Sequence, residues 1–260
     1  MDRNCYNGID IVLTPSSITY TSKHGVKEKA LNLDINKIHE QLESIGYTCP
    51  YTSVDKWDYY DEALENYGIP FMNFVYYYEL YKLRRIPTFE EFYKGYLNIY
   101  CDPIGNGKYK IKPFFDGDSN FSFTEKQLMG RVFRSYNSFH REVELLYQLA
   151  AYDGVHIKYC FQDDMNGVDF TLTYKGHTFC LASYVGTRRS YGYKNIKNND
   201  RHSDYYSQRH MIDIVAKWGK GDGTDNCDCI NGIYLYSPAF VASTFFEIVK
   251  EAEEGAVASA

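Results

Sequence analysis

The residues best suited to chemistry lie in the second half of the chain. Asp169 opens an alternating run, Val168-Asp169-Phe170-Thr171-Leu172-Thr173-Tyr174. Lys175-Gly176 follows, and His177 through Val185 alternates again. Two such runs joined by two turn-forming residues predict a β-hairpin. Carboxylates are ligands for hard divalent cations. Glu144, on a preceding helical pattern, supplies a second carboxylate, and Asp163 and Asp164 supply further ones. The stretch 186–202 adds cations: Arg188, Arg189, Lys194, Lys197 and Arg201, with His202, against the single acid Asp200 and with Tyr191 and Tyr193 interleaved. Arginine and lysine neutralise phosphates and aromatic rings stack on bases. This segment therefore predicts a site for nucleic acid or another phosphate; a solvated surface loop has the same composition.

Other reactive residues are less organised. Cys227-Asp228-Cys229 places two thiols one residue apart. A structural zinc site takes four ligands, with wider spacing inside each pair. No second cysteine pair exists, so a turn with incidental cysteines is expected. Gly219-Lys220-Gly221-Asp222-Gly223-Thr224 is glycine-rich but lacks the phosphate-loop arrangement. Cys180 and His177 share one strand at odd spacing, which points them to opposite faces, and Cys180 reads as packing. Glu142 and Glu144 flank Val143, a core position of their helix, so one of the two can turn toward the sheet.

Composition bounds the partners. The chain has 260 residues and a net charge of -6, enough length for a substantial core and the wrong sign for coating nucleic acid through bulk charge. No apolar run approaches the ~20 residues that span a bilayer, so no membrane partner is expected. Seven cysteines, an odd number, and the polar opening Met1-Asp2-Arg3-Asn4-Cys5 predict a reduced, cytoplasmic setting. The 27 tyrosines suit a binding surface, but an AT-rich coding sequence accounts for them as well.

Hydrophobic periodicity positions these residues. Asp34 caps a helix carrying Ile35, Ile38, Leu42 and Ile45, and Gly46 ends it. Helices are also predicted over 57–67, from Pro70 to about Arg85, and from the capping box Thr88-Phe89-Glu90-Glu91 to about Tyr100. A small hairpin, Ile9–Leu13 with Ile18–Tyr20, precedes them. After a turn-rich stretch around one strand, Tyr109-Lys110-Ile111, a second capping box at Thr124 and Gln127 starts a long helix. Strands over 155–161, 168–174 and 178–185 follow. A helix from about Asp204 to Trp218, a strand over 232–236 and a last helix from Pro238 complete the chain. The last helix can dock on the sheet or on a second subunit, making a homo-oligomer. The expected organisation is α/β: residues 1–120 as a mostly helical N-terminal domain with a hairpin, and 121–260 as a domain ordered α-β-β-β-α-β.

That order over about residues 121–237, the acids near the end of the long helix, Asp169 on the second strand and the basic segment after the third resemble the PD-(D/E)XK nuclease superfamily, in a degenerate form. The resemblance implies Asp169 and Glu144 as Mg²⁺ or Mn²⁺ ligands, and Glu-x-Lys on the next strand. The chain has Ala182-Ser183-Tyr184 there. Alanine offers no ligand, and a phenol carries no ammonium charge. The resemblance therefore implies a non-catalytic member with no cofactor. It would bind a protein complex or nucleic acid, as degenerate nuclease-like proteins of phages and mobile elements do when they inhibit host defence components. The alternative is a metal-dependent nuclease with a rearranged site, in which Lys194 or Lys197 supplies the cation.

Overall fold

A computed structural model describes residues 9–31, 33–44, 72–111, 122–187, 191–192, 210–219 and 222–258. Among them the protein is a mixed α/β fold with six helices and three sheets. The main sheet has seven strands: β1 (Asp10–Leu13), β2 (Ser17–Ser22), β3 (Gly25–Ala30), β7 (Val155–Cys160), β8 (Phe170–Tyr174), β9 (His177–Val185) and β10 (His210–Ala216). Their spatial order is β10-β9-β8-β7-β1-β2-β3. All pairings are antiparallel except β10 with β9. A parallel neighbour needs a long crossover, and residues 186–209 connect the two strands. A second sheet joins β4 (Cys101–Gly105), β5 (Lys108–Ile111) and β6 (Ser122–Thr124), and a hairpin joins β11 (Cys227–Ile230) to β12 (Ile233–Tyr236).

The helices are α1 (Ile35–Ser44), α2 (72–83), α3 (Phe89–Tyr100), α4 (Glu125–Ala150), the short α5 (Phe161–Met165) and α6 (Pro238–Ala258). Their starts follow the sequence signals. The Asp34 carboxylate accepts from Lys37 N at 2.9 Å. Thr88 and Glu91 close a full capping box on α3, and Thr124 and Gln127 close another on α4. Arg85 grips Glu91 through two hydrogen bonds of 2.6 and 2.9 Å, and this holds the Glu91 carboxyl down to about 2.

One sheet face carries Ile11, Tyr159, Phe170 and Leu181, joined by register and each buried. Helices α2, α4 and α6 cover it. Tyr77 of α2 lies against Tyr159 with ring centroids 4.6 Å apart. Phe245 of α6 meets Tyr174 edge-on at 5.4 Å, and α4 touches β1 and β7. Between α2, α3 and α4 the core is aromatic: Tyr76 contacts Phe92, Tyr136, Phe139 and His140. Gly95 permits the close approach of α3, since a Cβ there would meet Glu79 Oε1 at 3.1 Å and Val75 Cγ1 at 3.2 Å. Among the described residues no helix is long and apolar enough to cross a membrane.

Several elements differ from the sequence expectation. The helix expected over Asp204–Trp218 is, where described, strand β10; its Ile214 and Ala216 are fully buried in strand alternation. Met211-Ile212-Asp213-Ile214-Val215 satisfies either period, and β-branched residues beside a parallel partner favour the strand. Cys227-Asp228-Cys229 lies on β11 and not in a turn. The N-terminal hairpin gains a third strand, β3, and adds to the C-terminal sheet through β1–β7 pairing. Both halves contribute to one core cluster. The helix expected over 57–67 and the boundary near 120 lie outside the described residues.

Candidate functional site

Asp169 sits at the mouth of the β8–β9 hairpin. Lys175 and Gly176 turn this hairpin with φ of 48° and 83°, the left-handed pair of a two-residue turn. The Asp169 N–H donates to Leu181 O at 3.0 Å, and its Oδ2 accepts from Ser183 N at 2.6 Å. The carboxylate thus substitutes for a backbone acceptor at the end of the ladder. Upstream, α5 ends in a tight turn in which Gly167 N donates to Asp164 O and Val168 N to Asp163 O. This turn holds Asp164 beside β7, where Tyr159 Oη donates to Asp164 Oδ2 at 2.9 Å.

Of Glu142 and Glu144 on α4, Glu142 is the one in electrostatic reach of Asp169. Burial, then the charges of Asp169 and Asp164, push it well above the ordinary carboxylate range, with Arg141 opposing. Glu142 is 6 % exposed, and its Oε2 has no hydrogen-bond partner among the described residues. Glu144 joins a different cluster: its Oε1 accepts from Gln148 Nε2 at 2.6 Å and lies 3.3 Å from His39 Nε2. Burial raises the Glu144 carboxyl, and the Gln148 and His39 hydrogen bonds oppose the rise. Two residues along a helix turn by about 200°, so the two glutamates face apart.

The strand beside Asp169 offers little to a metal. Ala182 is 7 % exposed, and Tyr184 Oη donates to Asp213 Oδ2 at 3.2 Å. Asp213, on β10, stands directly across from Ala182 in register. The sequence reading missed Asp213 because it placed a helix there. Tyr77 and Tyr159 were missed because nothing in their own segments points to the site; the signal for Glu142 was its place beside Val143. Among the described residues, no three His, Cys, Asp or Glu side chains converge to hold a metal ion. Cys180 is buried, as expected. Arg188, Arg189, Lys194, Lys197, Arg201 and His202 lie outside the described residues.

Many of the described tyrosines are structural. Tyr76, Tyr77, Tyr96, Tyr136 and Tyr236 are among the largest fully buried side chains. Tyr191 is 43 % exposed and meets Tyr184 edge-on at 5.7 Å. No protein-family model, curated protein or solved structure matches this chain.

Proposed function

We propose that this protein is a non-catalytic binding protein built on a PD-(D/E)XK-like core, taking a protein complex as its partner. The observation that carries the reading is the commitment of the site's polar groups to structure. Asp169 terminates the β8–β9 ladder through Ser183, Tyr184 is spent on Asp213, and Ala182 supplies no ligand. Phosphodiester hydrolysis needs carboxylates that hold a cation against the scissile phosphate, and a positive group for the developing charge. The long helix α4, the antiparallel β7-β8-β9 meander and the parallel β10 support the superfamily assignment. The net charge of -6 favours a protein partner over nucleic acid. The resemblance supplies the setting: a phage or mobile-element protein that inhibits a host defence component.

A second reading keeps one observation in its favour. Glu142 of α4 lies in electrostatic reach of Asp169, just ahead of β8, which would be the start of a rearranged nuclease site using Lys194 or Lys197. Purified protein incubated with single- and double-stranded DNA and RNA, with Mg²⁺ or Mn²⁺, decides between them. No cleavage is expected. Metal-dependent cleavage abolished by Asp169→Ala would replace the binding reading with the nuclease. Gel-shift titrations with the same nucleic acids test the partner class. Retardation that charge reversal at Arg188, Arg189 and Lys197 removes would move the partner from protein to nucleic acid.

A further inference from the structure

Strand β3 ends the main sheet, and among the described residues it is paired on one side only, with β2. The bonds of that hairpin fix which backbone groups face outward. Leu31 N donates to Ser16 O at 2.8 Å, and the pairs Ser17↔Ala30 and Ile18↔Lys29 continue the same register. Antiparallel pairs alternate between bonded and non-bonded, so Lys29, Lys27 and Gly25 bond to β2. The N–H and C=O groups of Val26, Glu28 and Ala30 therefore point out of the sheet, where one more strand can pair with them. The side chains along this edge are sorted by face. Lys27 and Lys29 share a face with the buried Tyr20 and Ile18. Lys29 is anchored to the end of α2, its Nζ 4.5 Å from the Tyr81 ring centre and donating to Lys82 O at 3.3 Å. Lys27 is exposed, as is Arg84, two residues past Lys82, and neither pairs with an acid among the described residues. On the other face Val26, 66 % exposed, and Ala30 flank Glu28.

We infer that β3 is a docking edge for an extended segment of a partner protein in which acidic and apolar residues alternate. The segment adds to the sheet as a further strand. Its acids stand against Lys27 and Lys29, and its apolar side chains cover Val26 and Ala30. Directly opposed residues share a face, so the charge pattern sets the register. A slip of one residue puts the acids beside Glu28 and is refused. A second copy of β3 does not fit this description, because in the same sheet its lysines meet lysines. Nucleic acid can neutralise the lysines but has no peptide groups for Val26, Glu28 and Ala30. The inference deepens the protein-binding reading above and rests on it for the class of partner.

The test titrates the full-length protein with a short blocked peptide alternating glutamate and valine. A peptide with lysine in place of glutamate and a single-stranded oligonucleotide serve as comparisons. The readouts are the amide NMR shifts and hydrogen exchange of Val26, Glu28 and Ala30. The glutamate peptide is expected to saturate, to move these amides and to slow their exchange, with the lysine peptide about tenfold weaker or more. Glu28→Pro removes one outward N–H and leaves the β2 pairing intact, so it should abolish peptide binding while unfolding stays cooperative. Lys27→Glu keeps the ladder, and should weaken the glutamate peptide about fivefold and strengthen the lysine peptide. The inference is overturned if the glutamate peptide does not saturate, if the lysine peptide binds as well, or if Lys27→Glu changes neither. It is also overturned if folded Glu28→Pro binds like the parent, or if the oligonucleotide moves these amides more than the peptide does. Failure here leaves the protein-binding reading standing, since the cleavage and gel-shift assays above report on that reading and the peptide reports on this edge alone.

Discussion

Glu142 and His140 sit two residues apart on α4, and burial moves their proton equilibria in opposite directions. For Glu142 the folded carboxyl is raised, by burial and then by Asp169 and Asp164. Its contribution to stability is therefore complete below the ordinary carboxylate range and is lost as pH rises through the raised value. Glu142→Gln should stabilise the unliganded protein near neutral pH by about 1–2 kcal/mol, a rise of a few degrees in calorimetric melting temperature that shrinks in acid. A lower melting temperature would mean that the native carboxylate is well paired. His140 is fully buried with Tyr76 Oη 2.7 Å from its Nδ1, and burial pushes its imidazole down to about 3. The unfolded chain takes up a proton near pH 6.5 that the folded chain refuses, so stability falls as pH drops from about 6.5 toward 3. Urea midpoints of wild type should fall between pH 7 and 5 by an amount equivalent to about 2 kcal/mol from this group. His140→Gln should lose that part of the slope.

At the scale of elements, the helix starts and the sheet edge are the most legible parts. Thr88→Ala and Thr124→Ala each remove one half of a closed capping box. Each should cost about 1 kcal/mol by urea denaturation without changing the cooperativity of unfolding. Strand β3 ends the seven-stranded sheet with Gly25-Val26-Lys27-Glu28-Lys29-Ala30, and Val26 is 66 % exposed. Lys27 and Lys29 stand opposite Tyr20 and Ile18 on one face, and Glu28 opposite Thr19 on the other. Antiparallel partners share a face, so two β3 strands that keep their core faces on one side set lysine against lysine and glutamate against glutamate. The pattern guards the edge against self-pairing. Lys27→Val with Glu28→Val should bring concentration-dependent association in sedimentation velocity, while Lys29 keeps its place 4.5 Å above the Tyr81 ring.

Across the whole molecule, the sheet ties the two halves of the sequence together. Strand β1 lies between β2 and β7, with Ile11 1 % exposed in the shared core. Urea unfolding followed by tryptophan fluorescence and by far-ultraviolet dichroism should therefore superimpose as one transition. Ile11→Asp should shift both signals together; separate transitions would mean that the halves fold as independent units. Among the described residues, Tyr76, Phe92, Tyr136 and Phe139 fill the space between α2, α3 and α4.

The sequence by itself determined the local structure: three helix starts from Asp34, Thr88 and Thr124, and the β8–β9 hairpin from its alternation and Lys175-Gly176 turn. Each depends on residues a few positions apart, where capping, turn geometry and strand period act directly. The tertiary structure decided which distant groups meet. Glu142 and not Glu144 faces Asp169, because helix rotation and the seating of α4 on the sheet select one side. Tyr77 and Tyr159 join that site from separate elements, and 210–216 became a strand because a parallel partner, β9, was available to it. Long-range packing set these outcomes, and no short-range pattern encodes them.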